Sequence, residues 1–176
     1  MKKMLGLTPE ALRDVLIRRS ELRQEHEQLK YFAGTWKHKI RIWLGGTKKN
    51  PIEGTGTTVA EPMHDGRHYL LRHSGQLPGM TFSSGSTIGF DNLREEFVTS
   101  STDSMSTGVF LGHGHFDAND KAYTWYGEVQ SLRNPASSIR VRLVRRVRDD
   151  NHYQMEWYEM HRGKEIQTMQ VDFTRD

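Results

Sequence analysis

From Trp36 the sequence alternates. Trp36, His38, Ile40, Ile42 and Leu44 fall on one face of an extended chain, and Lys37, Lys39 and Arg41 on the other. A period of two is the signature of a β-strand with one buried and one wetted face. Gly34-Thr35-Trp36 stands where a helical run ending near Leu29 gives way to this strand. Glycine permits a sharp turn, and a tryptophan two residues later supplies a ring large enough to plug the end of a barrel. Beyond Trp36 the pattern stays that of strands, so this stretch is the first stave of an all-β body.

After a loop at Gly45-Gly46-Thr47-Lys48-Lys49-Asn50-Pro51, strands are predicted over 54–61, 67–75, 81–91, 95–101, 107–116, 123–130, 139–147, 153–161 and 165–173. Turn signals separate them: Asp65-Gly66, Leu77-Pro78-Gly79, Asn92-Leu93-Arg94, Asp117-Ala118-Asn119-Asp120, Asn134-Pro135, Asp149-Asp150-Asn151 and Arg162-Gly163-Lys164. No helical pattern intervenes. Consecutive hairpins imply an up-and-down meander, and closing it removes the exposed edges. The expected fold is all-β: a closed antiparallel barrel of about ten strands, preceded by one N-terminal α-helix. A hydrophobic fraction of 35% over 176 residues suits one such domain, wet outside and partly polar within.

The helix is predicted to start at Thr8-Pro9-Glu10, with Thr as N-cap, Pro in the first turn and Glu near the positive dipole end. Leu12, Val15, Leu16, Leu22 and Leu29 give an incomplete apolar stripe. Residues 1–28 are read as this helix and 29–176 as the barrel domain, with the helix's extra length available for a homodimer contact. The apolar run before Thr8 is too short for a signal peptide and no later run reaches a membrane span, so a cytoplasmic protein without a membrane partner is expected. With no cysteine, disulfides and thiolate chemistry are excluded.

Leu29, Phe32, Gly34 and Trp36, then Ile88-Gly89-Phe90-Asp91, then Val171-Asp172-Phe173-Thr174-Arg175, resemble in that order a calycin-like (lipocalin-like) bacterial family of unknown function. The resemblance covers roughly 29–176. It implies a closed antiparallel barrel with an internal cavity, and it carries over no catalytic residue.

Chemistry-bearing side chains interrupt several strands. His113 and His115 flank Gly114 and share a face about 7 Å apart along the chain, a spacing a metal can use. The hairpin register leaves that face open, because Trp125 and Val129 argue for one side and Val109 and Leu111 for the other. Trp157, Glu159 and His161 share a face, as do Tyr69, Leu71 and His73. An imidazole or carboxylate among aromatics inside a barrel has a shifted pKa and is suited to acid–base work. Trp125, Tyr126, Trp157 and Tyr158 are core or cavity wall.

Arg140, Arg142, Arg145, Arg146 and Arg148 make the strongest basic cluster; Arg140, Arg142 and Arg146 share a face opposite Val141, Leu143 and Val147, the cluster is read as a solvated outer face, and without interleaved aromatics it predicts no nucleic-acid partner. No phosphate loop, dinucleotide fingerprint or nucleophile elbow occurs. The function expected is binding of a small, largely apolar or aromatic molecule. Candidate ligand contacts are His73, His113, Trp125, Glu128, Trp157, Glu159 and His161, with no cofactor and no metal assigned. The alternatives are a cofactor-free isomerase, cyclase or lyase using the same His and Glu residues, and a haem or metal barrel.

Overall fold

The computed structural model describes residues 6, 8–44, 48–131, 134 and 136–176; most of the short apolar run before Thr8, the first three residues of the loop predicted at 45–51 and Pro135 of the predicted Asn134-Pro135 turn lie outside them. Ten strands run β1 Gly34–Ile42, β2 Ile52–Met63, β3 His68–Leu77, β4 Met80–Asp91, β5 Glu96–Asp103, β6 Phe110–Asp117, β7 Ala122–Gln130, β8 Ser138–Asp149, β9 His152–His161 and β10 Lys164–Arg175. Each pairs antiparallel with its sequence neighbour, and β1 pairs with β10 to close the barrel, in register Trp36↔Arg175 and Ile40↔Val171. The expected up-and-down barrel is the fold observed.

The first strand stops sooner than its alternation suggests. β1 ends at Ile42; Trp43 is then only 5% exposed, while Leu44 is 74% exposed. The cause lies on the partner strand. β10 carries an irregularity between Gln167 and Met169 where it faces β9, and the Trp43 amide donates to the Thr168 carbonyl at 2.8 Å. The extra residue of such a bulge resets which side chains point inward.

One end of the barrel is shut. A 3-10 turn at Lys30–Phe32 carries Phe32 under the strands, where it meets Trp36, Tyr123 and Tyr153, and both Phe32 and Trp36 are fully buried. Trp36 Nε1 donates to the Phe32 carbonyl at 2.9 Å, satisfying the polar edge of the plug. The Arg175 guanidinium lies 4.0 Å from the Trp36 ring centroid and donates to the carbonyls of Ala33 (2.8 Å) and Tyr31 (2.9 Å). Gly34 is required here on two counts: its φ is +114°, and a Cβ would stand 3.1 Å from Arg175 Nη1.

The preceding helical segment is divided. α1, Pro9–Ser20, is capped by Thr8 Oγ1 accepting from the Ala11 amide at 3.2 Å, but it buries none of its residues, and Leu12, Leu16 and Ile17 remain exposed. The barrel holds its C-terminal end by hydrogen bonds. The buried Asn92 amide donates to the Arg18 and Glu21 carbonyls at 3.0 and 2.7 Å, and Arg67 Nε to Ser20 O at 2.9 Å. α2, Gln24–Leu29, packs on the barrel through His26 and Leu29. No helix among the described residues is long and apolar enough to cross a membrane.

Two outcomes follow from this packing. Trp36→Ala is expected to lower unfolding free energy by about 3–5 kcal/mol in urea titrations, since it empties a fully buried ring site. Deletion through Arg23 is expected to preserve the β circular dichroism spectrum and to cost only about 1–3 kcal/mol, mainly from stranding the Asn92 amide; loss of the β signal would make α1 part of the core.

Candidate functional site: the barrel lumen

Strand pairing fixes which side chains enter the barrel, because paired residues point the same way. From the Trp36–Thr58 and His38–Gly56 pairs, the inward set includes His38 on β1, Thr58 on β2, Tyr69, Leu71 and His73 on β3, and Ser84, Ser86 and Ile88 on β4. It continues through Phe97, Thr99 and Ser101 on β5 and Phe110, Gly112 and Gly114 on β6. Tyr123, Trp125 and Gly127 on β7, Leu143 and Arg145 on β8, and Tyr153, Met155, Trp157 and Glu159 on β9 complete it. Three inward glycines are covered by neighbouring phenylalanines: a Cβ on Gly75 would meet the Phe82 ring, and one on Gly112 or Gly127 the Phe110 ring. Near the plug the wall is apolar and tightly packed. Midway along the strands it turns polar.

The first polar feature is a hydrogen-bonded chain. His38 Nδ1 lies 3.0 Å from Thr58 Oγ1, which lies 2.7 Å from His73 Nδ1; His73 Nε2 in turn lies 3.3 Å from Ser86 Oγ. A hydroxyl has one proton to give, so Thr58 donates to one imidazole and accepts from the other. The two histidines therefore hold opposite tautomers while both are neutral. Burial keeps them neutral: loss of solvation lowers His38 to about 4 and His73 to about 3, with Arg145 and then His38 adding repulsion at His73.

Arg145 is the second feature. It is 4% exposed, and its guanidinium carbon sits 5.7 Å from the Trp125 ring centroid and 5.8 Å from that of Phe32. Among the described residues no carboxylate or carbonyl pairs with it, and Nη1 is buried with no hydrogen-bond partner. Burial lowers its pKa, yet a guanidinium stays charged at neutral pH. Around the same lumen four more buried polar atoms stand without partners: His38 Nε2, Thr99 Oγ1, Trp125 Nε1 and Tyr153 Oη. Desolvation pushes the Tyr153 phenol up, so its hydroxyl keeps its proton and is a donor.

At the opposite end, the candidate mouth, the inward wall is less completely buried. Ile42, Phe82, Val129, Met155, Trp157 and Met169 pack against the core and remain only partly buried. Phe110 and Trp157 meet at 4.9 Å between ring centroids. Glu159 joins His161 (2.8 Å), Trp157 Nε1 (3.3 Å) and Thr168 Oγ1 (3.2 Å) into a rim cluster.

Of the side chains singled out in the sequence, His73, Trp125, Trp157, Glu159 and His161 line this interior. His113 and Glu128 do not. The register places His113 opposite Tyr126 and His115 opposite Thr124, both imidazoles outside, where His113 is 3.5 Å from Glu96. Glu128 is exposed and accepts from Ser138 Oγ at 2.6 Å. The two histidines face out because Gly112 and Gly114 take the inward places between Phe110 and Phe116. Among the described residues no group of three or more His, Asp or Glu side chains is placed to hold a metal ion.

Arg145 and His38 were not among the expected site residues. Arg145 was grouped with the basic cluster, although it is in phase with the apolar Val141, Leu143 and Val147. The rest of that cluster is mostly engaged outside. Arg142 pairs with Glu165 at 2.7 and 2.5 Å and lies 4.0 Å from the Tyr158 ring centroid, and Arg146 pairs with Asp120 at 2.9 Å.

Fold and interior together define a ten-stranded closed barrel with an apolar plug and a polar, incompletely satisfied middle. The family model described as "Protein of unknown function (DUF1579)" matches residues 21–175, and the chain belongs to that family. Among solved structures it is similar to Rv2717c from M. tuberculosis (10% identity, TM-score 0.57, covering 89% of this chain and 99% of that one). It is also similar to the S-type phycobiliprotein lyase CPES from Guillardia theta (9% identity, TM-score 0.54, 88% and 98% covered). A designed fluorescence-activating β-barrel aligns at 17% identity with a TM-score of 0.44, over 84% and 95% of the two chains. No curated protein matches.

The buried histidines predict acid sensitivity. Their folded pKa values lie below the ordinary 6.5, so between about pH 6.5 and 4 the unfolded chain binds more protons than the native one and stability falls as pH falls. Their contribution is complete above about 6.5 and is lost progressively toward 3. For the deeply buried His38 the slope approaches roughly 1.4 kcal/mol per pH unit, and urea titrations of His38→Gln are expected to show a shallower pH dependence. Arg145→Met is expected to raise unfolding free energy by about 1–4 kcal/mol at pH 7, because it replaces an unpaired buried charge with an apolar side chain of similar length.

Proposed function

We propose that this protein is a calycin-like carrier or sensor barrel that takes one small, flat, largely apolar molecule into its lumen through the mouth. The observation that carries the reading is the state of the inward-facing apolar side chains. At the plug Phe32, Trp36 and Tyr153 are buried, with Phe116 and Val147 partly so, whereas at the mouth Ile42, Phe82, Val129, Trp157 and Met169 face the interior and all keep contact with solvent. Apolar side chains held inside a barrel yet reachable by water gain free energy when a ligand covers them, at about 25 cal/mol per Å² of apolar surface removed from water. The aromatic walls at Phe110, Trp125 and Trp157 suit a planar body.

The Gly34-Thr35-Trp36 corner and the Arg175 clamp support the calycin-like placement. They leave one end of the barrel permanently shut, so a ligand has a single way in. The barrel likeness to a phycobiliprotein lyase agrees with this reading as a matter of architecture.

A neutral environment-sensitive dye, N-phenyl-1-naphthylamine, tests it. Saturable one-to-one enhancement of its fluorescence is expected. Ser101→Trp, which places a large ring on the inward face between Ser86 and Phe110, is expected to weaken binding by about tenfold or more while leaving the circular dichroism spectrum intact. Unaltered dye binding in that variant would put the dye outside the lumen and end the proposal.

A further inference from the structure

Among the described residues, four of the five unpaired buried polar atoms around the lumen carry a proton to give, and His38 Nε2 is donor or acceptor according to its tautomer. Trp125 Nε1 and Arg145 Nη1 can only donate, and the hydroxyls of Thr99 and Tyr153 each carry a proton free to give. Unsatisfied buried donors cost stability, and an unpaired buried guanidinium costs the most. These groups occur on β5, β7, β8 and β9, so they surround the interior from several sides.

Charge narrows what would complete them. Both lumen histidines are neutral at physiological pH, so they add no second positive charge. Of the other inward-facing ionisable groups, Glu159 and His161 are joined to each other, and Asp103 is committed to the β5–β6 turn, where it accepts from the Met105 amide at 2.8 Å and Ser106 Oγ at 3.3 Å. One unmatched positive charge remains among the described buried, inward-facing side chains. It is planar and forked, the shape that receives both oxygens of a carboxylate side by side.

From this geometry we infer that the ligand is a monoanionic aromatic or polyunsaturated carboxylate, its carboxylate held by Arg145 with donors from the lumen wall and its apolar body extending toward Trp157 and the mouth. The inference rests on the lumen-binding proposal and deepens it. It also gives the unpaired arginine a role: the charge that destabilises the empty barrel is the charge that selects the ligand. Burial holds the His38 and His73 imidazoles neutral, so they do not compete with Arg145 for the anion.

The test compares 2-naphthoate with 2-naphthamide, which share a body and differ in charge, by calorimetry or quenching of tryptophan fluorescence at pH 7. The wild-type protein is expected to bind the carboxylate about 10- to 100-fold more tightly, the range of a charge-assisted hydrogen-bonded pair. In Arg145→Met the preference for the carboxylate over the amide is expected to fall to about one. Arg145→Lys, which keeps the charge but loses the fork, is expected to retain part of the preference. Equal wild-type affinity for the two molecules would overturn the anion assignment while leaving a neutral-ligand barrel standing. A preference that persists in Arg145→Met would overturn it as well, by placing the anion elsewhere. If the wild type binds neither molecule and also ignores the neutral naphthylamine dye, the lumen proposal and this inference fall together.

Discussion

Closure of the barrel depends on the contact between Arg175 and Trp36. It joins the last residues of β10 to the first of β1 across the seam, and the same guanidinium reaches the carbonyls of Tyr31 and Ala33 in the segment that carries the plug. Tyr31 extends the tie to the β8–β9 turn through the carbonyls of Asp149 and His152, at 2.7 and 2.9 Å. The first strand's start, the last strand's end and one hairpin are thereby fastened at one point, and every other strand needs only its sequence neighbour. With that end shut and packed with aromatic rings, the interior can change character farther up.

That change is unusual in energetic terms. A barrel built only for stability would continue its apolar wall, because paired or unpaired polar groups in the interior rarely repay their desolvation. Here two neutral histidines share one threonine hydroxyl, and a guanidinium lies near the Trp125 and Phe32 rings with no carboxylate beside it among the described residues. The π contacts are worth about 2 kcal/mol at best when desolvated, less than the penalty of an unpaired buried ion. The middle of the barrel thus carries a stability cost, and the proposed binding role gives that cost a purpose.

Much of this was legible in the sequence. Alternation at Trp36–Ile42 and the chain of turn residues predicted the strands and their meander, and the Gly34-Thr35-Trp36 corner marked the plug. Alternation also put His73 with Tyr69 and Leu71, and Glu159 with Trp157. It failed where glycine replaced the apolar residue that would declare a face. In Phe110-Leu111-Gly112-His113-Gly114-His115 the glycines point inward, and the outward Leu111 and Val109 are as apolar as core residues, so composition alone could not orient the strand. It failed at Leu44 because a bulge on β10, invisible in β1, ended the pattern. Arg145 was the costliest omission. Its phase with Val141, Leu143 and Val147 marks it as inward, but its place beside Arg146 in a run of basic residues made it resemble the solvated face.

The most direct measurement is a crystal structure of the protein bound to 2-naphthoate. The account predicts the carboxylate oxygens about 2.7–3.0 Å from the Arg145 guanidinium nitrogens, with the ring lying between Trp125 and Trp157. A naphthoate seated at the mouth or on the outer wall with its carboxylate in water, or Arg145 satisfied by a protein group instead, would contradict it.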